Sequence, residues 1–326
     1  MAGIRELPPE TADGRLIEMH GNIELPEEVA TAVLNGAAGV GLYRTEFLYL
    51  RAGKEPTEEE QFAAYMAAAE TLGELPLVIR TFDLGGDKLP EALRHHPEKN
   101  PALGCRSIRY CFEHPALFRA QLRAILRASA YGNILLLLPM ISAVDEVRKA
   151  KEILADVTED LRREGIGFRE DLQVGIMVEV PSVAVAPDIF AGEVDFFSIG
   201  TNDLIQYALA VERVNEHVAD LFTPSHPAIL RLLKTVVDIS EATDTPLNLC
   251  GEISSDALYT ALLVGLGFRK LSLTPSAIPR IKQIIRVTSY EDARLLAGEA
   301  LVQPSARAVT RLLMENLPPE ARDIIV

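Results

Sequence analysis

Arginines, carboxylates and one thiol follow directly on short apolar runs at several points along this chain. Arg44 stands in YRTEF (43–47). Arg80, Asp83 and Lys88 stand in IRTFDLGGDK (79–88), and Glu179 in MVEVP (177–181). Asn202 and Asp203 stand in SIGTNDL (198–204), Cys250 and Glu252 in LCGE (249–252), and Asn22 closes an earlier run. Singly, each has an ordinary reading: a solvated arginine, a carboxylate capping the next helix, a thiol filling space. Together the types fit one chemistry. Planar guanidinium forks suit a small polyanion with phosphate and carboxylate groups. Glu179 and Asp203 suit Mg²⁺, which takes few protein oxygens and keeps waters or substrate oxygens. The glycines of DLGGDK and SIGTNDL let the backbone approach a ligand closely. A free thiol has a pKa of about 8.5, so Cys250 holds a proton it can donate at neutral pH.

Such residues work together only if the fold brings them to one place. Eight apolar runs precede or contain them: 15–23, 39–43, 76–82, 133–141, 172–180, 194–200, 246–250 and 270–274. They are apolar along their length rather than alternating, as expected of parallel strands covered on both faces. Helical stretches separate them. TEEEQFAAYMAAAETLG follows the second run, with Thr57 as N-cap and Glu60 three residues on, the pattern of a capping box. SAVDEVRKAKEILADVTEDLRREG follows the fourth, and SHPAILRLLKTVVDISEAT, with His226 at the helix start, precedes the seventh. Repeated strand–helix units predict an α/β chain of the (β/α)8 TIM-barrel class, with a doubly wound open sheet as the runner-up. In such barrels the chemistry lies at the C-terminal ends of the strands, where these polar residues stand. Residues 1–14 read as a lead-in, 15–326 as the barrel, and 289–326 as one or two closing helices.

Composition narrows the function. The chain has 326 residues, 48% of them hydrophobic, enough for a large core. Lys and Arg number 32 against 47 Asp and Glu, a formal charge of −15. That field disfavours nucleic acid and anionic membranes, and leaves anion binding to local arginine clusters. The three cysteines lack metal-type spacing, so Cys105 and Cys111 read as free core thiols of a reduced, cytoplasmic protein. The N-terminus has no signal-peptide form, and the longest aliphatic run, ILLLLPMI (134–141), is too short to span a bilayer.

Longer stretches carry a resemblance. GVGLYRTEFLYL, IRTFDLGGDKLP, NPALGCRSIRY, FRAQLRAILRAS, GIMVEVPS, VDFFSIGTNDLIQYALAVER, LCGE and SAIPRIKQIIR occur in this order from about residue 15 onward. In these the chain resembles the C-terminal, phosphoenolpyruvate (PEP)-binding domain of Enzyme I of the bacterial phosphotransferase system, a PEP-protein phosphotransferase. Pyruvate phosphate dikinase and PEP synthase share parts of these motifs, but Tyr43 and the DLIQYALAVER wording favour Enzyme I.

The resemblance implies roles. Arg44, Arg80, Arg106 and Arg213 would bind the phosphate and carboxylate of PEP. Asn202 would hold the phosphate together with the Thr201–Asp203 turn, and Glu179 and Asp203 would hold Mg²⁺. Cys250 would protonate C3 of the enolate as phosphate leaves, and Lys88 lies near the pocket. The resemblance also implies a homodimer, a downstream histidine phosphocarrier protein as partner, and a role in sugar transport. Two stretches depart from the family pattern: CGEISSDAL, with Ser254 and Ser255, and VERVNEHV, with Val214. The family's acceptor histidine lies in a separate phosphohistidine domain, in a Gly-Gly-x-x-Ser-His-like setting. None of His20, His95, His96, His114, His217 and His226 has that setting, so the chain reads as an isolated domain. Two other readings stay open. One is a Mg²⁺-dependent lyase or aldolase on a PEP/pyruvate barrel. The other is a PEP-responsive dimerisation module without turnover.

Overall fold

The computed structural model describes residues 2–52, 55–84, 98–213, 215–318 and 322. Lys88, His95, His96 and Val214 lie outside the described residues.

All eight expected strands form. They are β1 (Glu18–Ile23), β2 (Val40–Arg44), β3 (Leu77–Arg80), β4 (Ile134–Leu138), β5 (Gln173–Val178), β6 (Phe196–Ile199), β7 (Leu247–Leu249) and β8 (Lys270–Leu273). Each pairs in parallel with the next, and β1 pairs with β8 to close the barrel. This is the (β/α)8 architecture, and the closure excludes the open doubly wound sheet. Seven strands are shorter than the apolar runs that announced them, because the run ends continue into loops; β2 keeps its length but runs one residue further, to Arg44.

Side chains along a strand alternate between the two faces of the sheet. Outward residues such as Tyr43, Leu77, Ile79, Leu136, Ile176, Phe197 and Leu249 belong to the large core shared with the helices. Leu42, Val78, Leu137, Met177, Phe196 and Cys250 form a separate cluster that fills the barrel interior. Polar groups share that interior. Asn248 Nδ2 donates to Gly41 O and Ser198 Oγ, and Ser272 Oγ donates to Asn22 Oδ1 at 2.6 Å. A Cβ added at Gly41 would lie 2.5 Å from Ser272 Oγ, so only glycine fits beside this packing.

The helices start and stop where local chemistry says they should. Helix Glu58–Leu72 has the expected capping box: Glu60 N donates to Thr57 Oγ1, and Thr57 N donates to Glu60 Oε2. Helix Val144–Glu164 opens with Asp145 and Glu146 and closes with Arg162 and Arg163, which oppose the helix dipole, before Gly165 turns left-handed at φ 71°. His226 caps helix Pro227–Thr243, its Nδ1 accepting from Ala228 N. Two helices, Tyr290–Leu301 and Ala306–Glu315, follow the barrel. The N-terminal segment is tied to helix Ile278–Val287, where Lys282 Nζ donates to Arg5 O and Arg286 Nη1 to Pro8 O.

Candidate active site

The two-residue period that places Leu42, Val78 and Met177 inside the barrel carries the next inward positions to Arg44, Arg80 and Glu179. These stand at the C-terminal ends of β2, β3 and β5. Cys250 follows β7 on the same face. A cavity of about 960 Å³ opens above them. Arg44, Arg80, Arg106, Glu179, Asn202, Asp203, Arg213 and Cys250 all line it.

A buried charge network forms its floor. Arg80 Nη2 lies 3.0 Å from Glu46 Oε2 and its Nη1 3.4 Å from Asp83 Oδ2. Arg106, 2% exposed, donates from Nη2 to both oxygens of Asp83 at 3.1 Å and to Asp203 Oδ2 at 3.2 Å. Its Nη1 reaches Asp203 Oδ1 and the Tyr207 hydroxyl. Burial works against both guanidinium charges, but Glu46, Asp83, Asp203 and Glu179 hold them firmly protonated. The Nε of each arginine has no hydrogen-bond partner among the described residues.

Glu179 is 1% exposed, and its Oε1 accepts from Met140 N at 2.7 Å. Its Oε2 has no hydrogen-bond partner among the described residues and sits close over Gly200, where an added Cβ would lie 2.7 Å from it. Burial, then the Asp203 and Asp83 charges, push its pKa up to about 8, against the pull of Arg80 and Arg106. Cys250 is also buried. Its Sγ accepts from Ser198 Oγ at 3.3 Å and lies 3.4 Å from Ile199 O. Burial raises its pKa above the ordinary thiol range, with only partial relief from Ser198 and Arg80. The thiol is therefore protonated at neutral pH.

The other predicted residues stand at the rim. Arg44 Nη1 pairs with Glu24 Oε1 at 3.2 Å, half in solvent. The Thr201–Asp203 turn is the first turn of helix Thr201–Leu209. Its orphan backbone N–H groups and the helix dipole favour an anion there. Asn202 and Arg213 both reach Glu252.

A family model described as "PEP-utilising enzyme, PEP-binding domain" matches residues 1–290. The chain belongs to this family. It is 44% identical to a phosphoenolpyruvate-protein phosphotransferase of Haemophilus influenzae, over 97% of this chain and 55% of that protein. It is 47% identical to the protein of the same name from Geobacillus stearothermophilus, over 87% of this chain and 50% of that one. The chain thus spans about half the length of the curated relatives it matches.

This PEP-binding domain has a donor set that fits a divalent cation. Four carboxylates (Glu46, Asp83, Glu179 and Asp203) face two buried guanidiniums, Arg80 and Arg106. Even with Glu179 protonated, Glu46, Asp83 and Asp203 outnumber the two guanidiniums, and this surplus with the open Oε2 of Glu179 favours a cation between Glu179 and Asp203 that would displace the Glu179 proton. Among the described residues no group of three or more His, Cys, Asp or Glu forms a metal cage. Two carboxylates, with waters and ligand oxygens completing the shell, is the pattern Mg²⁺ commonly takes.

Sequence reading passed over three members of the domain's cavity and its support. Glu46 binds Arg80 and accepts from Asp83 N at 2.7 Å. It stands two residues after Arg44 in YRTEF and carried the same strand-end signal. Tyr207 and Ser198 had no signal, since their partners Arg106 and Cys250 are remote in sequence. Ser254 brings new contacts: its hydroxyl lies 2.6 Å from both Gly251 O and Ser272 O, tying the Cys250 loop to β8.

Proposed function

We propose that this barrel, residues 15–326 with 1–14 as lead-in, is the catalytic domain of a PEP-protein phosphotransferase. It transfers the phosphoryl group of PEP to a histidine of a separate domain and releases pyruvate. The observation that carries this reading is the convergence of Arg44, Arg80, Arg106 and Arg213 on the cavity that also holds a buried, protonated thiol. A lyase needs fewer phosphate-binding arginines.

Arg80 and Arg106, fixed by Asp83, orient the trianion, and Arg44 and Arg213 close on it from the rim. Asn202 and the first N–H groups of helix Thr201–Leu209 hold phosphoryl oxygens. Glu179 and Asp203 would hold Mg²⁺, which would supply positive charge to offset the negative charge on the phosphoryl group and the leaving oxygen. The bridging P–O bond breaks as the N–P bond to histidine forms. The electron pair released onto the bridging oxygen makes the enolate of pyruvate. C3 then takes the proton of Cys250, and the thiolate regains one from solvent. A thiol does this without adding fixed charge to the pocket.

The downstream partner is a histidine phosphocarrier protein serving sugar uptake, and the domain acts as a cytoplasmic homodimer. Among the described residues, no helix is long and apolar enough to cross a membrane.

Calorimetric titration of PEP with Mg²⁺, then with a chelator, tests the site. Binding that is lost or falls at least tenfold on chelation is expected. Equal affinity in both conditions would remove the metal role, and no binding in either would remove the PEP reading.

A further inference from the structure

Glu252 has no part in the mechanism above, yet its carboxylate meets two of the anion ligands assigned there. Arg213 Nη1 and Asn202 Nδ2 both donate to Glu252 Oε1, each at 2.9 Å. The donors come from different segments: Asn202 from the first turn of a helix, Arg213 from the loop beyond its end. Their convergence on one anionic oxygen is the arrangement a ligand phosphate or carboxylate oxygen would receive. Glu252 lines the same cavity.

Two features make this carboxylate displaceable. The Arg213 and Glu252 side chains are 43% and 66% exposed, so their ion pair is weak and the carboxylate has solvent to turn into. Glu252 N also donates to Asn202 Oδ1 at 3.3 Å. Asn202 therefore keeps its hold on the main chain when the carboxylate leaves, and its Nδ2 is released to a new acceptor already in position.

We propose that Glu252 is a stand-in anion. In the empty site its carboxylate occupies Arg213 and Asn202, and an incoming phosphate- or carboxylate-bearing ligand must displace it. The inference rests on the PEP reading of the site given above. Only the state with Glu252 turned away accepts ligand, so the apparent affinity is lowered by the fraction of that state. The same carboxylate returns to its donors as product leaves, which assists release.

Glu252→Gln keeps the shape and removes the charge. PEP, with Mg²⁺, is titrated calorimetrically into the wild-type chain and into E252Q at low salt. E252Q is expected to bind about three- to tenfold more tightly, the scale of one exposed charge interaction. The gain should shrink as salt rises and vanish in an Arg213→Ala background, where the contested donor is gone. Wild-type binding with equal or weaker binding by E252Q overturns the stand-in role, leaves the PEP reading intact, and makes Glu252 a prop for Arg213. A gain that persists undiminished in the Arg213→Ala background also overturns it. Binding by E252Q alone supports it in its strongest form, and binding by neither protein overturns both readings.

Discussion

Arg106 carries a full positive charge with almost none of its surface in water, which is affordable only because Asp83 and Asp203 grip it. That arrangement fixes the guanidinium where a flexible surface arginine would have to be ordered by its ligand. Cys250 shows the opposite use of burial. There desolvation protects a neutral acid rather than a paired ion. If Cys250 supplies the C3 proton, the chain with Mg²⁺ and pyruvate in heavy water should exchange methyl protons. Cys250→Ala is expected to slow that exchange by about 10²–10⁴-fold, the range of general acid–base catalysis, as followed by proton NMR. Undiminished exchange in the variant would assign the proton to another group. At this scale the candidate residues stood out in the sequence, because an arginine or carboxylate directly after an apolar run is conspicuous. Their pairing was not legible. Arg106 and Asp203 are 97 positions apart, and only the closed sheet brings them together.

Elements were more legible than contacts, since their signals are local. The capping box at Thr57, the cap at His226 and the glycine stop at Gly165 all act within a few residues of chain. Helix–helix approach is different. Helices Thr260–Leu266 and Tyr290–Leu301 come so close at Gly265 that an added Cβ would sit 1.9 Å from Ala293 O, a backbone atom with nowhere to move. Gly265→Ala is expected to cost about 1–3 kcal/mol, read by urea unfolding. Gly298, on the second of these helices, has nothing within 4 Å of its would-be Cβ. Gly298→Ala should therefore stabilise by up to about 1 kcal/mol. If both substitutions had the same sign, close approach at Gly265 would not be the controlling term. The sequence shows two glycines in helical stretches and cannot tell these cases apart.

For the whole molecule, the polarity of the barrel interior sets a pH dependence far from the site. His20, 2% exposed, lies near Glu18 and Lys270, with no hydrogen bond to either ring nitrogen among the described residues. Burial, reinforced by Lys270, lowers its pKa below the ordinary histidine value, and Glu18 only partly restores it. A depressed folded pKa contributes stability above the unfolded value of about 6.5, and that stability is lost as pH falls through the folded pKa. Between pH 7 and pH 5 the wild-type melting temperature should therefore fall further than that of His20→Asn. Parallel falls would show that His20 does not titrate in this window.

The sequence by itself determined the eight strands, their order, the helix caps and the types of residue at the strand ends. Each of these depends on a run of neighbours, and hydrophobic period and turn chemistry are written locally. Only the tertiary structure decided that the sheet closes between β1 and β8, that four carboxylates surround two buried arginines, and that Glu252 holds Arg213 and Asn202. These depend on parallel strands meeting in register around a barrel. Register is a property of pairing between distant segments, which no single stretch of sequence contains.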